Sequence, residues 1–239
     1  MAVTPYGTSD SKKEEIRTMF NNIAPTYDFL NHALSVNIDK IWRRRAIASL
    51  KSLDPNKILD VASGTGDLAI AAMRLNPEKI IGVDISEEML KVGEAKMKKK
   101  GLSDIISMQV ADSESLPFED NDFDAVTVAF GVRNFENPAK GIEEMHRVLR
   151  PEGKLVVLEF TNPKGRLING LYQLYFRKVL PLVGRIISKD FSAYKYLPQS
   201  VAAFPQREEF VEIMKKSGFK TASFKQLTFG IASLYIGVK

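Results

Sequence analysis

From residue 57 onward, short apolar runs alternate with amphipathic stretches of helical length. The runs are rich in valine and isoleucine, and runs of this length predict strands buried on both faces. They begin at Lys57, Lys79, Ile105, Phe123 and Lys154. Five strands with alternating helices predict a right-handed parallel sheet. Two further runs, 219–227 and 231–238, predict a terminal β-hairpin, which makes the expected sheet seven-stranded and mostly parallel.

Two helices are expected before this alternation begins. The first covers about 11–22, with Ser11 as its cap and Glu14 at the capping-box position, and Pro25–Asp28 is expected to break it. The second covers about 38–50. A minimal nucleotide-binding sheet needs neither helix. The sequence therefore predicts an N-terminal helical cap over residues 1–52 and a sheet domain over 53–239.

The junction between the first strand and its helix contains two glycines, Gly64 and Gly66. Glycine allows the backbone to approach a ligand where a Cβ atom would collide. Strand, glycine turn and helix together predict a nucleotide pocket at the carboxyl edge of the sheet. A dinucleotide motif would have a third glycine where Ala69 stands, which disfavours a nicotinamide-dependent oxidoreductase.

Acidic residues at three strand ends indicate which nucleotide binds. Asp60 can face an ammonium group directly or through water, and Asp84 is placed to hold two ribose hydroxyls. Asp112, followed by Ser113, can accept a hydrogen bond from an adenine amino group. A ligand with an amine, a ribose and an adenine but no phosphate is S-adenosylmethionine. The expected fold is thus α/β, that of a class I S-adenosylmethionine-dependent methyltransferase.

A helical, lid-like insertion is expected at about 162–205, before the sixth strand. It contains too many large apolar residues for one face of a covering helix. Between Lys164 and Lys195 there are seven basic residues and one acid, a net charge of +6 compared with +5 for the whole chain. An apolar segment with basic residues suits a hydrophobic substrate taken from an anionic membrane surface. An ordinary lid or a homodimer contact is the alternative.

Composition excludes several kinds of chemistry. The chain has no cysteine, so disulfides, zinc-thiolate sites and cytosine-C5 methylation through a cysteine nucleophile are excluded. Its two histidines lack metal-ligand spacing, so no metal is expected. We also expect no nucleic-acid substrate, because 130–133 lacks the Asn/Asp-Pro-Pro-Tyr/Phe type of motif used on exocyclic amines. With no signal peptide and no run of eighteen apolar residues, a soluble cytoplasmic protein is expected.

Three stretches together carry a family resemblance. They are 27–42, the glycine loop 60–67 followed by 130–134, and 147–161. With them, the chain from Phe20 to Lys239 resembles the ubiquinone/menaquinone biosynthesis C-methyltransferase family. The chain departs from the family pattern at four positions, and no role is transferred to the last of them. These are Asp39 for histidine, Glu152 for glycine, Thr161 for serine and Ala129 for a cofactor-contacting serine.

The resemblance implies methylation of a ring carbon of a prenylated hydroquinone, with demethylmenaquinol preferred and a benzoquinol as the alternative. It implies cofactor contacts at Thr65, Asp84 and Asp112-Ser113. A non-catalytic S-adenosylmethionine-binding partner of a quinone-synthesis assembly is an alternative of another class. A transient contact with the membrane surface is expected in either case.

Four residues are candidates for the chemistry. They are Arg133, Asn134, Tyr27 and Asp28. Arg133 and Asn134 follow the fourth strand at the pocket mouth, whereas the other two come from the N-terminal cap. Arg133 can stabilise a phenolate or hold a water that acts as the base. The alternative is a structural role, in which Arg133 pairs with a carboxylate such as Asp84 and Tyr27 only packs.

Overall fold

A computed structural model of the protein describes residues 3–8, 10–165, 168, 170, 172, 174 and 191–239. Seven strands form one sheet in the order β3-β2-β1-β4-β5-β7-β6. They are β1 (Lys57–Val61), β2 (Lys79–Asp84), β3 (Ile106–Val110), β4 (Phe123–Ala129), β5 (Leu149–Phe160), β6 (Thr221–Leu227) and β7 (Ala232–Val238). The first five strands are parallel, and β7 is antiparallel to both of its neighbours. The predicted fold class is confirmed.

Helices cover both faces of this sheet. They are α1 (Lys12–Ile23), α2 (Tyr27–Leu34), α3 (Ile38–Ala48), α4 (Asp67–Ala72), α5 (Glu87–Lys100), α6 (Pro138–Val148), α7 (Phe191–Ala203) and α8 (Glu208–Lys216). Side chains cap several of their amino ends, as the sequence predicts. Ser11 Oγ accepts from Glu14 N at 3.3 Å, and Ser86 Oγ accepts from Met89 N at 3.3 Å.

Two core clusters lie on opposite faces of the sheet because strand residues alternate between the faces. On β1, Ile58 faces the cluster built with α3, α4 and α5, whereas Leu59 faces the cluster built with α6 and α8. Ala125 and Val126 of β4 divide in the same way. The parallel strands are therefore buried on both sides, which explains their continuous apolar runs.

One local prediction is confirmed and one was wrong. Helix α1 ends at Ile23, so Pro25–Asp28 does break it, and a 3-10 turn at Ala24–Thr26 then leads into α2, which begins at Tyr27. Proline is tolerated there because a residue in the first turn needs no N–H partner. The strand expected to begin at Lys154 begins at Leu149 instead. Within this added stretch, the pairing with β4 shifts between Phe123 and Ala125, and Glu152 has a φ of 64°.

Part of the predicted insertion lies outside the described residues, namely 166, 167, 169, 171, 173 and 175–190. Five of its seven basic residues are among them, so the proposed basic surface of the insertion stays a prediction. Of the described part, Tyr172 and Tyr196 pack with Ile16 and Met19 of α1. The division into a cap and a sheet domain also stays a prediction. No described helix is both long and apolar enough to cross a membrane.

Candidate active site

The glycine loop forms the turn between β1 and α4. Gly64 and Gly66 have φ values of 56° and 80°, a conformation that glycine adopts without strain. A Cβ atom on Gly64 would lie 3.1 Å from the Met89 methyl group, and one on Gly66 would collide with the Met97 methyl group. The Met97 methyl group ends a flexible side chain that could move, so the need for glycine at both positions comes from the positive φ.

Asp84, at the end of β2, holds this loop and also lines the cleft beside it. Its Oδ2 accepts from Gly64 N at 2.9 Å, and its Oδ1 accepts from Ser86 N at 2.9 Å. Burial raises the pKa of the carboxyl above its usual value, against these hydrogen bonds. Each oxygen retains one lone pair, so the group has acceptors for two neighbouring hydroxyls.

The cofactor cleft, as we call this space, encloses about 660 Å³, including its open mouth. Its walls are mainly apolar, and its polar lining is formed by Lys13, Asp84, Asp112, Ser113, Glu114, Asn134 and Glu136. Asn134 is buried, and its Oδ1 has no hydrogen-bond partner within the described residues. Carboxylates beside a buried amide acceptor suit a diol and an adenine amine. The residues present therefore fit S-adenosylmethionine.

Helix α1 lies across the cofactor cleft and is held by two lysines. Lys12 Nζ donates to the carbonyls of Arg133 and Phe135 at 3.0 and 2.7 Å. Lys13 Nζ pairs with Asp112 Oδ2 at 2.6 Å. Burial of the Lys12 ammonium lowers its pKa. The predicted adenine contact at Asp112 thus shares its carboxylate with a lysine of the N-terminal helix.

Asp60 lies beneath the loop and not in the lining of the cleft. Its side chain is 1% exposed and accepts from Ser63 Oγ at 2.7 Å and from Thr127 Oγ1 at 2.8 Å. The geometry therefore gives the carboxylate a role in holding the turn, not the expected direct contact with an ammonium group. Desolvation raises the pKa of Asp60 to about 6, despite both hydrogen bonds.

This pKa predicts a pH-dependent stability. Between about pH 4 and pH 6, folded Asp60 keeps a proton that the unfolded chain loses, so its contribution to the free energy of unfolding falls as pH rises, by on the order of 3 kcal/mol. Asp60→Asn removes this titration. In urea unfolding, the free energy of unfolding of the variant relative to that of the wild type should rise by that amount from pH 4 to pH 7.5. The exposed control Asp104→Asn should show no such rise. If the stability of Asp60→Asn and that of the wild type changed with pH in the same way, the raised pKa of Asp60 would be contradicted.

A second space, the apolar cavity, adjoins the cofactor cleft and encloses about 1970 Å³ with its mouth. The two spaces share three lining residues, Phe20, Tyr27 and Phe130. Their other walls differ. The apolar cavity is lined by Met19, Ile23, Leu30, Ile38, Trp42, Phe160, Ile168, Ala193, Leu197 and Ile231, among others. Ligands in the two spaces would therefore meet at the three shared aromatic residues.

Arg133 brings charge to the wall of the apolar cavity. Its guanidinium donates to the Phe130 carbonyl and to Glu159 Oε1, the latter at 2.8 Å. Glu159 is fully buried and also accepts from the backbone N–H groups of Arg133 and Phe160. Arg133 Nε is buried without a hydrogen-bond partner among the described residues. Arg133 thus pairs with Glu159 and not with Asp84, and it keeps one donor unused.

A second guanidinium, that of Arg43, stands on the other side of the same aromatic pair. Phe130 and Phe160 stack with ring centroids 4.4 Å apart. Arg43 lies 5.9 Å from the Phe130 ring centroid, and Arg133 lies 5.6 Å from that of Phe160. Both distances allow cation–π attraction. Two guanidinium groups of the apolar cavity therefore lie near Phe130, one of the three residues that it shares with the cofactor cleft.

Arg43 also neutralises an acidic cluster. It donates to Asp39 and lies 3.6 Å from Asp67, and His32 contacts both carboxylates. Ligand atoms of His32, Asp39 and Asp67 lie within 4.8 Å of one another. Because the guanidinium already contacts both carboxylates, the cluster has the charge pattern of an ion-pair network. The expectation that no metal is needed stays a prediction.

Besides Asp60, three predicted site residues line neither space: Asp28, Thr65 and Gly66. Thr65 Oγ1 donates to Asp28 Oδ1 at 2.5 Å, and Lys96 Nζ reaches Asp28 Oδ2 at 2.5 Å. Successive residues of a helix point about 100° apart, so Tyr27 faces the cavities while Asp28 faces the glycine loop. Asp28 therefore clamps the loop to α2 and α5, and its catalytic role stays a prediction.

Glu159 and Arg43 were not among the predicted site residues. A weak signal for Glu159 exists, since it is an acid at the end of the apolar run 155–158. Arg43 is hidden in the run 43–45, whose other two members are exposed. Of the predicted residues, Tyr27 lines both spaces and Arg133 lines the apolar cavity. The cofactor cleft is lined by Gly64, Asp84, Asp112, Ser113 and Asn134.

The sheet order, the antiparallel β7 and the cleft at the carboxyl edge define the class I methyltransferase fold. A solved S-adenosylmethionine-dependent methyltransferase from Thermotoga maritima shares it, with a TM-score of 0.63 and 20% identity over 94% of this chain and 99% of that one. So does the [4+2]-cyclase SpnF, with a TM-score of 0.59 and 17% identity over 97% of each chain. A fold shared by different activities does not set the reaction.

Residues 8–239 match the profile of the ubiE/COQ5 methyltransferase family, and the chain belongs to this family. It is 50% identical over 238 residues to demethylmenaquinone methyltransferase of Bacteroides fragilis, covering 99% of this chain and 97% of that protein. It is 49% identical over 230 residues to the ubiquinone/menaquinone biosynthesis C-methyltransferase of Geotalea uraniireducens, covering 95% and 97%. The family resemblance predicted from the sequence is confirmed.

Proposed function

We propose that this methyltransferase transfers a methyl group from S-adenosylmethionine to a ring carbon of a prenylated hydroquinone, with demethylmenaquinol as the substrate and menaquinol as the product. The observation that carries the proposal is the junction of two unlike spaces at Phe20, Tyr27 and Phe130. One space has acceptors for a nucleoside, and the other is large and apolar. The names of the relatives, demethylmenaquinone methyltransferase among them, support this choice of substrate.

The size and lining of the apolar cavity support a substrate with a hydrocarbon tail. Its walls are mostly aliphatic and aromatic, and the volume that a water molecule can occupy in it, about 630 Å³, is that of a full-sized ligand pocket. An isoprenoid chain has no polar group to satisfy and would bury apolar surface along these walls. The quinol ring, the only polar part of such a substrate, would then lie at the shared aromatic boundary.

Bound S-adenosylmethionine would supply an electrophilic methyl group in the cofactor cleft. The chain's first contribution is alignment, because holding the ring carbon in line with that methyl group can lower the barrier by roughly 7–11 kcal/mol. The second is exclusion of water, to which Phe20, Tyr27 and Phe130 contribute where the two spaces meet. Both contributions require only the cavity walls and the position of α1.

The third contribution is to increase the electron density of the ring. Loss of the phenolic proton makes the adjacent ring carbon a better nucleophile. Arginine is always protonated in proteins, so Arg133 acts as a fixed cation that stabilises the phenolate or orients a water. Burial raises the pKa of the Tyr27 hydroxyl, so Tyr27 stays neutral and can donate a hydrogen bond to the same oxygen.

Menaquinol chemistry also implies where the protein works. Prenylated quinols dissolve in the bilayer, so the substrate must pass between lipid and the apolar cavity. We therefore place the reaction at the membrane surface, with the chain attached reversibly from the aqueous side. The membrane supplies the quinol partner, and neither nucleic acid nor metal takes part.

The test incubates the purified protein with methyl-labelled S-adenosylmethionine and, separately, with reduced demethylmenaquinol and the corresponding benzoquinol precursor. We expect label on the naphthoquinol alone. Label on both quinols would keep the reaction and broaden the substrate class to ubiquinone precursors. Label on neither, with S-adenosylmethionine still bound, would reject the proposal in favour of a partner-dependent protein.

A further inference from the structure

Two turns beside the apolar cavity hold large apolar side chains in water. Val36 and Phe229 are 76% and 78% exposed, and both line the mouth of the cavity. Their φ values are 50° and 57°, a conformation that is strained for β-branched and aromatic residues. Strain of this kind persists where the surrounding fold imposes it, often at functional surfaces. Neither side chain has a role in the chemistry proposed above.

The two turns belong to one connected surface. Trp42 Nε1 of α3 donates to Thr228 Oγ1 at 2.8 Å, and Trp42 is buried between α3 and the sheet. The turn that carries Phe229 is therefore fixed to the helix that follows Val36. The two exposed side chains keep their relative positions at the cavity mouth.

Unpaired cations extend this surface along α3. Lys40, Arg44 and Arg45 are exposed, and none forms an ion pair within the described part of the chain, unlike their neighbour Arg43. Ile41, which is 48% exposed, stands among them. Residues four apart share a helix face, so Lys40 lies beside Arg44, and Ile41 beside Arg45. We call the six residues the docking face: Val36, Lys40, Ile41, Arg44, Arg45 and Phe229.

We propose that the docking face seats the protein on an anionic lipid bilayer, with Val36 and Phe229 at the acyl boundary and the three cations among the headgroup phosphates. Apolar side chains beside unpaired cations are what such a surface recognises. Seated in this way, the mouth of the apolar cavity opens onto the membrane, and a prenyl tail enters without crossing water. This inference rests on the proposed function and names the surface that it requires.

The test measures co-sedimentation of the full chain with phosphatidylcholine vesicles, prepared with and without phosphatidylglycerol. We expect binding that depends on the anionic lipid. The triple variant Lys40→Gln, Arg44→Gln, Arg45→Gln should bind at least about tenfold more weakly. The double variant Val36→Asn, Phe229→Asn should lose at least as much, and asparagine accepts positive φ, so folding is preserved.

The matched control removes three exposed lysines from the carboxyl end of α5, at the opposite edge of the sheet, as Lys98→Gln, Lys99→Gln, Lys100→Gln. It should bind vesicles like the wild type. The proposal is overturned if the wild type does not sediment with anionic vesicles, if the docking-face variants bind unchanged, or if the control loses as much as they do.

A second readout separates this proposal from the proposed function. With a short-chain quinol in free solution, the triple lysine and arginine variant should methylate as fast as the wild type. With prenylated quinol in vesicles, it should be at least about tenfold slower. Vesicle binding with no methylation of either quinol would reject the proposed function and keep the docking face. If the triple variant methylated both the free quinol and the vesicle-bound quinol as fast as the wild type, the docking face would be rejected and the proposed function kept.

Discussion

Arg133→Lys should lower kcat for quinol methylation at least about a hundredfold while S-adenosylmethionine binds nearly as before. Removing one electrostatic donor from a preorganised site costs on the order of a hundred- to a thousandfold in kcat. Lysine keeps the charge that Glu159 needs, and its ammonium can replace the single Nη1 that now donates to Phe130 and Glu159. It loses the other N–H groups of the guanidinium, including the unused Nε donor. Because the carboxylate stays paired, the variant should fold, which separates the catalytic effect from instability.

The measurement is kcat and the dissociation constant of S-adenosylmethionine for each purified variant, with the unfolding temperature as a check. Arg150→Lys is the matched control, since Arg150 is exposed and pairs with Asp124 at the far end of β4. It should change neither constant. An unchanged kcat for Arg133→Lys would show that the guanidinium has only a structural role.

Glu159→Gln is the companion change, because Glu159 orients Arg133 and does not reach the cofactor cleft. We expect a smaller loss of kcat, about tenfold, since glutamine keeps one acceptor for the guanidinium. The double variant with Arg133→Lys should lose less than the product of the two single effects. Fully multiplicative losses would indicate that the two residues act independently.

Asp84→Asn should weaken S-adenosylmethionine binding about a hundredfold. Hydrogen bonds to a charged group contribute about 1.5–3 kcal/mol each. Asparagine has one side-chain oxygen, so it can accept from only one of the two groups, Gly64 N or Ser86 N, that now donate to the Asp84 carboxylate. The cofactor cleft would lose both its diol acceptor and the anchor of its glycine loop. Turnover at saturating S-adenosylmethionine should fall much less, because Asp84 lines the cofactor cleft and not the apolar cavity.

Isothermal titration of S-adenosylmethionine into Asp84→Asn measures this loss directly. Asp112→Asn serves as the comparison, and we expect its affinity to fall by less than about tenfold, because Asp112 is partly exposed and already pairs with Lys13. Equal losses for the two variants would contradict the ribose assignment. An unchanged affinity for Asp84→Asn would place the ribose elsewhere in the cleft.

The features that depend on residues close together in the chain could be predicted from the sequence. Apolar runs with helical stretches between them determine the sheet, and the ends of β1 and β2 place the glycine loop and Asp84 at one edge. These features depend on residues within a few positions of each other and on the fixed handedness of the crossovers. The family motifs added the substrate class, which no local pattern contains.

The pairings that define the active site could not be predicted in this way. Arg133 and Glu159 are 26 positions apart, and only the packing of the turn after β4 beside β5 brings them together. Arg43 and Arg133 stand on either side of one aromatic pair because α3 packs under Phe130 and Phe160. A run of three arginines looks uniform in sequence, although tertiary packing buries only the first.

Asp28 shows the same limit at the scale of one residue. The sequence analysis named Tyr27 and Asp28 together, as candidates that the N-terminal cap brings to one site. As members of α2 they point in different directions, Tyr27 toward the cavities and Asp28 toward Lys96. The sequence by itself determined the fold, the nucleotide edge and the family. Only the tertiary structure decided which charged groups line the two spaces, because burial and long-range contacts select them.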